Sequence, residues 1–438
     1  MQKPSEPGES TMTRDPRLPR RSFVHRAVAV GGAGALAACI ERESGGDVDL
    51  PQADTPPDER PRRQHAWNDA LESDEHGNVV PPEHHLFLLC SYEGETPTAD
   101  ERERVEEAFG VLDRAYQRGS EGLSFTVGYS PAYFERFDES LPESVDLPKP
   151  TPLAPFEEPA LDDADLLVHL ASDYGQVVLA GEQALRGDLD ELNGIEVSAS
   201  LSSVCSVEER REGFVGAGLP TEKARDDDLD GVPDPDSIPE DAPFFMGFTA
   251  GFAESQASED RVTITDGPFA GGTTTHLSAI RINLRQWFEQ DSRDERIAKL
   301  FSPGHVEDDL LEGAGNNLGS SSGISDYVDD VEADARAGTV GHAQKAARAR
   351  EDGEPIILRR DVNTVDGGRP GLHFLAHQRR IEDFVRTREA MNGTDLAEDS
   401  PIDQFSRNGI LQYLTVYARG NYLVPPREYR ALPSPQPE

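Results

Sequence analysis

The sequence predicts an α+β protein with helices laid over a sheet. Apolar runs of strand length and longer stretches of helical periodicity follow one another in the order strand, helix, strand, strand, helix, and the second half repeats that order loosely. Each sheet face needs an apolar partner, which the helices supply. From about residue 84 to residue 427 the apolar segments suffice for a substantial core or two packed subdomains.

Residues 1–38 read as an export signal. Arg20 and Arg21 precede a short Gly/Ala-rich apolar stretch that ends in Leu36-Ala37-Ala38-Cys39. The stretch is too short for a stable membrane span. The paired arginines resemble the twin-arginine signal, and Leu-Ala-Ala-Cys resembles the lipoprotein box, which implies lipid attachment at Cys39 and a place on the outer face of the cytoplasmic membrane. Residues 39–82, rich in acidic, Pro and Gly residues, are expected to form a flexible acidic linker. Nothing after residue 39 is long and apolar enough to span a bilayer.

The formal net charge is −41, with lysine scarce and acidic residues dispersed along the chain. Such a surface repels phosphate backbones and excludes nucleic-acid binding as a function. The composition resembles that of proteins from salt-loving microbes, in which high salt screens the self-repulsion. Cys90 and Cys205 remain once Cys39 is set aside, as a disulfide or as two free buried thiols.

Strand-length apolar runs occupy residues 84–90, 123–129 and 165–170. Helical patterns occupy 100–117 and 174–187. In the second half, strands are expected at 263–264, 274–285 and 371–377, with helices at 381–391 and around 324–348. No close sequence repeat is visible between the halves.

Several segments in the second half, taken in order, carry a family resemblance. They are Gly267-Pro268-Phe269-Ala270-Gly271-Gly272-Thr273, the run from Ile280 to Trp287, Gly341-His342-Ala343-Gln344-Lys345, Ile357-Leu358-Arg359-Arg360, Gly371-Leu372-His373-Phe374-Leu375 and Asn421-Tyr422-Leu423-Val424-Pro425-Pro426. Their order resembles the dye-decolourising (DyP-type) haem peroxidases. The resemblance implies two ferredoxin-like subdomains with antiparallel sheets (83–255 and 256–430) in a dimeric α+β barrel-like fold. It further implies one haem b, hydrogen peroxide as oxidant and a small electron donor as reductant.

The resemblance makes His342 the axial ligand of the haem iron, with His305 and His276 as rivals, because an imidazole can hold iron while its second nitrogen is oriented by an acceptor. Arg359, 17 residues further on, takes the distal role, where a fixed positive charge stabilises separating oxygen charge. Arg360 faces a haem propionate or solvent, since neighbouring strand residues point to opposite faces. Asn363 is expected to add a second distal hydrogen bond.

At the distal acid the sequence departs from the family. A Gly-Phe-x-Asp-Gly segment supplies an aspartate in typical members, and the counterpart taken here is Gly213-Phe214-Val215-Gly216-Ala217-Gly218, with Gly216 in the acid's place. Glycine cannot move a proton. Glu222 or Asp226 folding back, or Arg359 with water, are the substitutes considered.

Asp226, Asp228 and Asp230, with Gly231 and Asp234, could wrap oxygens around a structural calcium, although Ser237 stands at the twelfth position where a strict loop has Glu. There is no Cys-x-x-Cys-His motif, so a haem would be noncovalent, and no phosphate-binding loop. Ser321, Ser322 and Ser325 sit in a turn-rich connection, and Tyr413, Tyr417 and Tyr422 read as core aromatics. Two function classes follow: a haem peroxidase, or a nonenzymatic haem-binding, sensing or structural cell-surface protein on a degenerate peroxidase scaffold.

Overall fold

The computed structural model describes residues 50–225 and 229–437. The first half supplies β1 (His84–Tyr92), α1 (Ala99–Ala115), β2 (Ser124–Tyr129), β3 (Leu166–Ser172), α2 (Gly175–Arg186) and β4 (Cys205–Phe214). The second supplies β5 (Thr273–Ile282), α3 (Arg293–Leu300), α4 (His342–Ala346), β6 (Val362–Thr364), β7 (Gly371–Gln378), α5 (Ile381–Asn392) and β8 (Leu414–Val424). These eight strands pair antiparallel in the order β6-β4-β1-β3-β2-β8-β5-β7, and β7 pairs back onto β6. The sheet therefore closes into an eight-stranded barrel, which leaves none of the eight as a free edge.

The strands of the two halves belong to one continuous sheet. The two four-stranded halves meet at β2 and β8, where Tyr129 pairs with Leu423, and at β4 and β6, where Phe214 pairs with Asn363. A single chain completes the barrel, because the last strand of each half finds an unpaired edge on the other.

Period-2 alternation explains both cores. Along β1, Leu86, Leu88 and Cys90 face outward into the cluster formed with α1 and α2, while Phe87 and Leu89 face the barrel interior with Leu277, Val362 and Leu375. The helices are started by local chemistry: Thr98 and Glu101 form a reciprocal capping box at α1. Gly187, at φ 77°, ends α2 in a left-handed conformation that a side chain would resist.

The interior also holds a polar group of rings. His85 Nδ1 and His169 Nε2 lie 2.9 Å apart, His169 stacks on Phe87 with centroids 4.4 Å apart, and His65 and His377 lie close by. Burial pushes His65 and His85 down to about 3 and His169 and His377 well below the usual imidazole value, with Arg360 adding to the effect at each.

Much of the expected flexible linker is packed structure. Gln64, His65, Trp67 and Leu71 are buried, Trp67 sits against His169, and Arg60 pairs with the buried Asp113 at 3.0 Å. The segment has no apolar period for the sequence to show, yet single large side chains suffice to plug the barrel. Residues 263–264 lie in a turn instead of a strand, and residues 324–348 break into short helical turns around Val331–Ala337 and α4. Cys90 and Cys205 are free and buried, and burial raises the Cys90 thiol to about 12. Among the described residues no helix is long and apolar enough to cross a membrane.

Candidate functional site

A cavity of about 150 Å³, open to solvent, lies outside the barrel between α4, α5, residues 249–255 and the short strand Leu358–Arg359. Its walls are mostly apolar. Ala343, Ala346 and Ala347, three and four apart on one helical face, present a flat surface, opposed by Phe252, Ile357 and Phe374. His342 and Arg359 both line this one space.

His342 opens α4, and its place is fixed by close backbone packing. A Cβ on Gly341 would stand 1.7 Å from the carbonyl oxygen of Phe301, so that position accepts glycine alone. Gly409, at φ 61°, brings its own backbone against that of His342. Beneath the helix, the buried Lys345 ammonium donates to the carbonyls of Met391 and Asn408 and to the Asn408 side chain.

The His342 Nδ1 is buried and has no hydrogen-bond partner among the described residues. Burial, reinforced by Lys345, Arg359 and Arg388, lowers the imidazole to about 3. The ring is therefore neutral at ordinary pH, with a lone pair to offer. The rivals are committed elsewhere. His276 bonds Asn421 and Ser278 at 2.7 Å each and stacks on Phe384, and His305 bonds Ser302 and the Ser322 carbonyl.

Arg359 is clamped by Gln256, whose side-chain oxygen accepts from the Arg359 backbone N–H at 2.9 Å and whose amide donates to the Arg359 carbonyl at 3.2 Å. Its guanidinium lies 3.4 Å from Ser255 Oγ and 3.8 Å from Asp361 Oδ2. The second oxygen of Asp361 is buried without a partner, and burial pushes that carboxyl up to about 6 against the pull of Arg359.

Arg360 and Asn363 do not join the site. Arg360 is turned away from solvent: it lies over the Trp67 ring at 4.8 Å and donates to the His65 carbonyl and to Glu259. Asn363 closes the barrel seam, accepting from Phe245 N–H and donating to the Phe214 and Pro243 carbonyls. All of its strong partners are backbone groups, which leaves it no distal duty.

Gly216 is also remote from the cavity, at the end of β4. The wall is built instead by Thr249, Ala250, Gly251 and Phe252, in the segment Gly247-Phe248-Thr249-Ala250-Gly251. That run has the Gly-Phe-x-x-Gly spacing, which residues 213–217 lack because Ala217 stands at its fifth position, and Ala250 stands at its fourth. Glu222 lies on a short helix away from the cavity, and Asp226 and Asp228 fall outside the described residues, as does Cys39. Asp230 pairs with Arg369 at 3.3 Å, and Asp234 caps the backbone N–H of Asp236. Among the described residues no group of three His, Cys, Asp or Glu side chains is placed to hold a metal ion.

Solved structures share this architecture. The chain is similar to the encapsulated DyP-type peroxidase from Mycobacterium smegmatis (16% identity, TM-score 0.52, 84% of this chain and 100% of that one). It is also similar to a dye-decolorizing protein from V. cholerae (16%, 0.51, 83% and 98%). A third, a DypB variant from Rhodococcus jostii RHA1 in complex with heme, aligns at 16% identity and TM-score 0.50 over 80% of this chain and 96% of that one. At such identities the likeness establishes a shared α+β barrel fold. No curated protein matches the chain. A family model matches residues 82–426, nearly the whole described body, and the chain therefore belongs to the family of unknown function DUF7405.

Proposed function

We propose that the cavity takes one haem b, whose iron His342 would hold, and that the protein reduces hydrogen peroxide while oxidising a small electron donor. The observation that carries this reading is the pairing of a neutral imidazole, with a buried unpartnered nitrogen, and an arginine on the walls of one apolar cavity. The residues fit the group: the alanine face of α4 accepts a planar macrocycle, and Arg350, whose guanidinium donates only to Ser325 and backbone carbonyls, can pair with a propionate. Bound haem would supply the iron chemistry that reduces peroxide and accepts electrons from a donor.

The chain's own residues bind and polarise. His342 holds the ligand position, α4 and its Lys345 anchor keep the imidazole from swinging, and Arg359 offers a clamped positive charge to an incoming peroxide oxygen. Titration with haem should give a Soret band at one haem per chain, absent or strongly altered in His342→Ala. Arg359→Leu should keep the haem and lose about 100-fold in peroxide-dependent donor oxidation. A protein that takes up no haem at any salt concentration sinks this reading.

Ala250 in the acid's place motivates a second reading, a haem carrier or sensor without turnover. Stoichiometric haem with no donor oxidation, in low and high salt, selects it. For either reading we propose export through the twin-arginine route and lipid attachment at Cys39. Intact-mass analysis of membrane-extracted protein would show a lipidated N-terminal Cys39, and a product retaining residues 1–38 excludes it.

A further inference from the structure

His342 turns one ring nitrogen into the cavity and one away from it. Nδ1 is enclosed by protein and meets no hydrogen-bond acceptor among the described residues, so the nitrogen left to face the cavity is Nε2. The groups packed around α4 leave nothing for Nδ1 to bond. The Gly409 backbone lies against the backbone of His342. The carbonyls of Met391 and Asn408 and the Asn408 side-chain oxygen, beneath the helix, are all taken by Lys345.

A metal-bound imidazole ordinarily donates its second N–H to a carboxylate, a carbonyl or a water, and that bond makes the ring a stronger electron donor to the metal. His342 has no such bond. The charges around it act in the same direction. Among the described residues lining the cavity there is no Asp or Glu. Arg350 reaches only Ser325 and backbone carbonyls, and the charges that act on the His342 ring, those of Lys345, Arg359 and Arg388, are all positive. Carboxylates answer only two of these four cations, Asp361 on Arg359 at 3.8 Å and Glu157 on Arg388 at 2.5 Å.

From this placement we infer that His342 holds haem iron through Nε2 with nothing drawing on its Nδ1–H, and that this weak ligand, among apolar walls and excess positive charge, sets the site to favour ferrous over ferric iron. The inference rests on the haem-site reading. Ferric haem carries one positive charge more than ferrous haem. A weakly donating imidazole, an apolar surround and nearby cations each oppose that extra charge, so all three raise the reduction potential. For the donor of the proposed reaction, the same shift makes the oxidised site a stronger electron acceptor. His342 is thus the ligand and, through its bare Nδ1, the group that tunes the iron.

Three measurements on haem-loaded full-length protein test it. Ascorbate alone should convert the Soret and visible bands to those of ferrous haem, and iron that stays ferric overturns the inference. Resonance Raman spectra of the ferrous form should place the iron–imidazole stretch beside that of ferrous haem with 2-methylimidazole in an apolar solvent. A stretch raised towards that of the imidazolate complex overturns it. In His342→Gly, imidazole and 1-methylimidazole, which lacks the second N–H, should restore the haem spectrum with affinities within about threefold of each other, whereas a preference for imidazole of about tenfold or more reveals an acceptor and overturns it. Should that variant not fold, the two wild-type measurements decide. Wild type that takes up no haem sinks the proposed function and this inference together, and haem that binds but stays ferric in ascorbate sinks the inference alone.

Discussion

At the scale of single residues, Asp361 and Gly341 each carry a stability prediction. A carboxyl whose folded value is raised to about 6 from about 4 is favoured in its protonated form by folding. Stability is therefore highest below about pH 4 and is lost as pH rises through 6, where the buried group must ionise. The sign requires Asp361→Asn to gain on the wild type as pH rises, by about 1–3 kcal/mol between pH 4 and 7, read from urea midpoints of the two proteins. A constant difference across that range excludes a buried, poorly solvated carboxyl. Gly341→Ala places a Cβ 1.7 Å from the Phe301 carbonyl oxygen and must displace one of the two backbone segments in that contact. A loss of about 3 kcal/mol or more, with haem uptake impaired through His342, is expected. His342 and Arg359 were legible as candidates from the order of short segments, and the fold brings both to one cavity. Asp361 was not, because one acid among 83 acidic residues carries no mark in the sequence until its burial is known.

At the scale of elements, near-continuous apolar runs announced β1, β2, β3 and β7 because both faces of each strand meet apolar partners. Three features lacked any such signal. Residues 60–71 reach the core through isolated side chains. β6 is only three residues long and is held by seam pairing. The wall segment Gly247–Gly251 has no apolar period either, and its one mark is the Gly-Phe-x-x-Gly spacing, which Gly213–Gly218 lacks because Ala217 takes the fifth place. The barrel interior itself yields a prediction. His65, His85, His169 and His377 are all held neutral by burial. In the unfolded chain each takes up a proton below about pH 6.5, so the unfolded state gains and folding stability, fully present above that pH, is lost as pH falls. Four such groups give a loss of roughly 5 kcal/mol per pH unit below 6.5. Urea denaturation between pH 7.5 and 5.5 measures it, and a flat profile would mean that these rings are protonated in the native barrel. Replacing His85 and His169 together by Asn and Gln should soften the slope.

At the scale of the whole molecule, the net charge of −41 works against compaction, and its effect on stability is a matter of ionic strength. Many arginines are already committed to buried partners: Arg211 to Asp162, Arg419 and Arg388 to Glu157, Arg430 and Arg60 to Asp113. The repulsion that remains is between dispersed surface carboxylates. Salt screens that long-range term, since the Debye length falls from about 10 Å at 0.1 M to about 3 Å at 1 M, whereas buried pairs are little affected. The melting temperature should therefore rise steadily from low salt to about 1 M, equally in sodium and potassium chloride. The alternative source of salt dependence is a specific cation site at the acidic loop from Asp226 to Asp236. Calcium bound there would saturate at about 1 mM and stabilise far beyond its contribution to ionic strength. Melting curves in sodium chloride, with and without about 1 mM calcium, separate the two. Coincident curves assign the effect to general screening. A calcium-dependent step that disappears in Asp230→Asn assigns it to the loop.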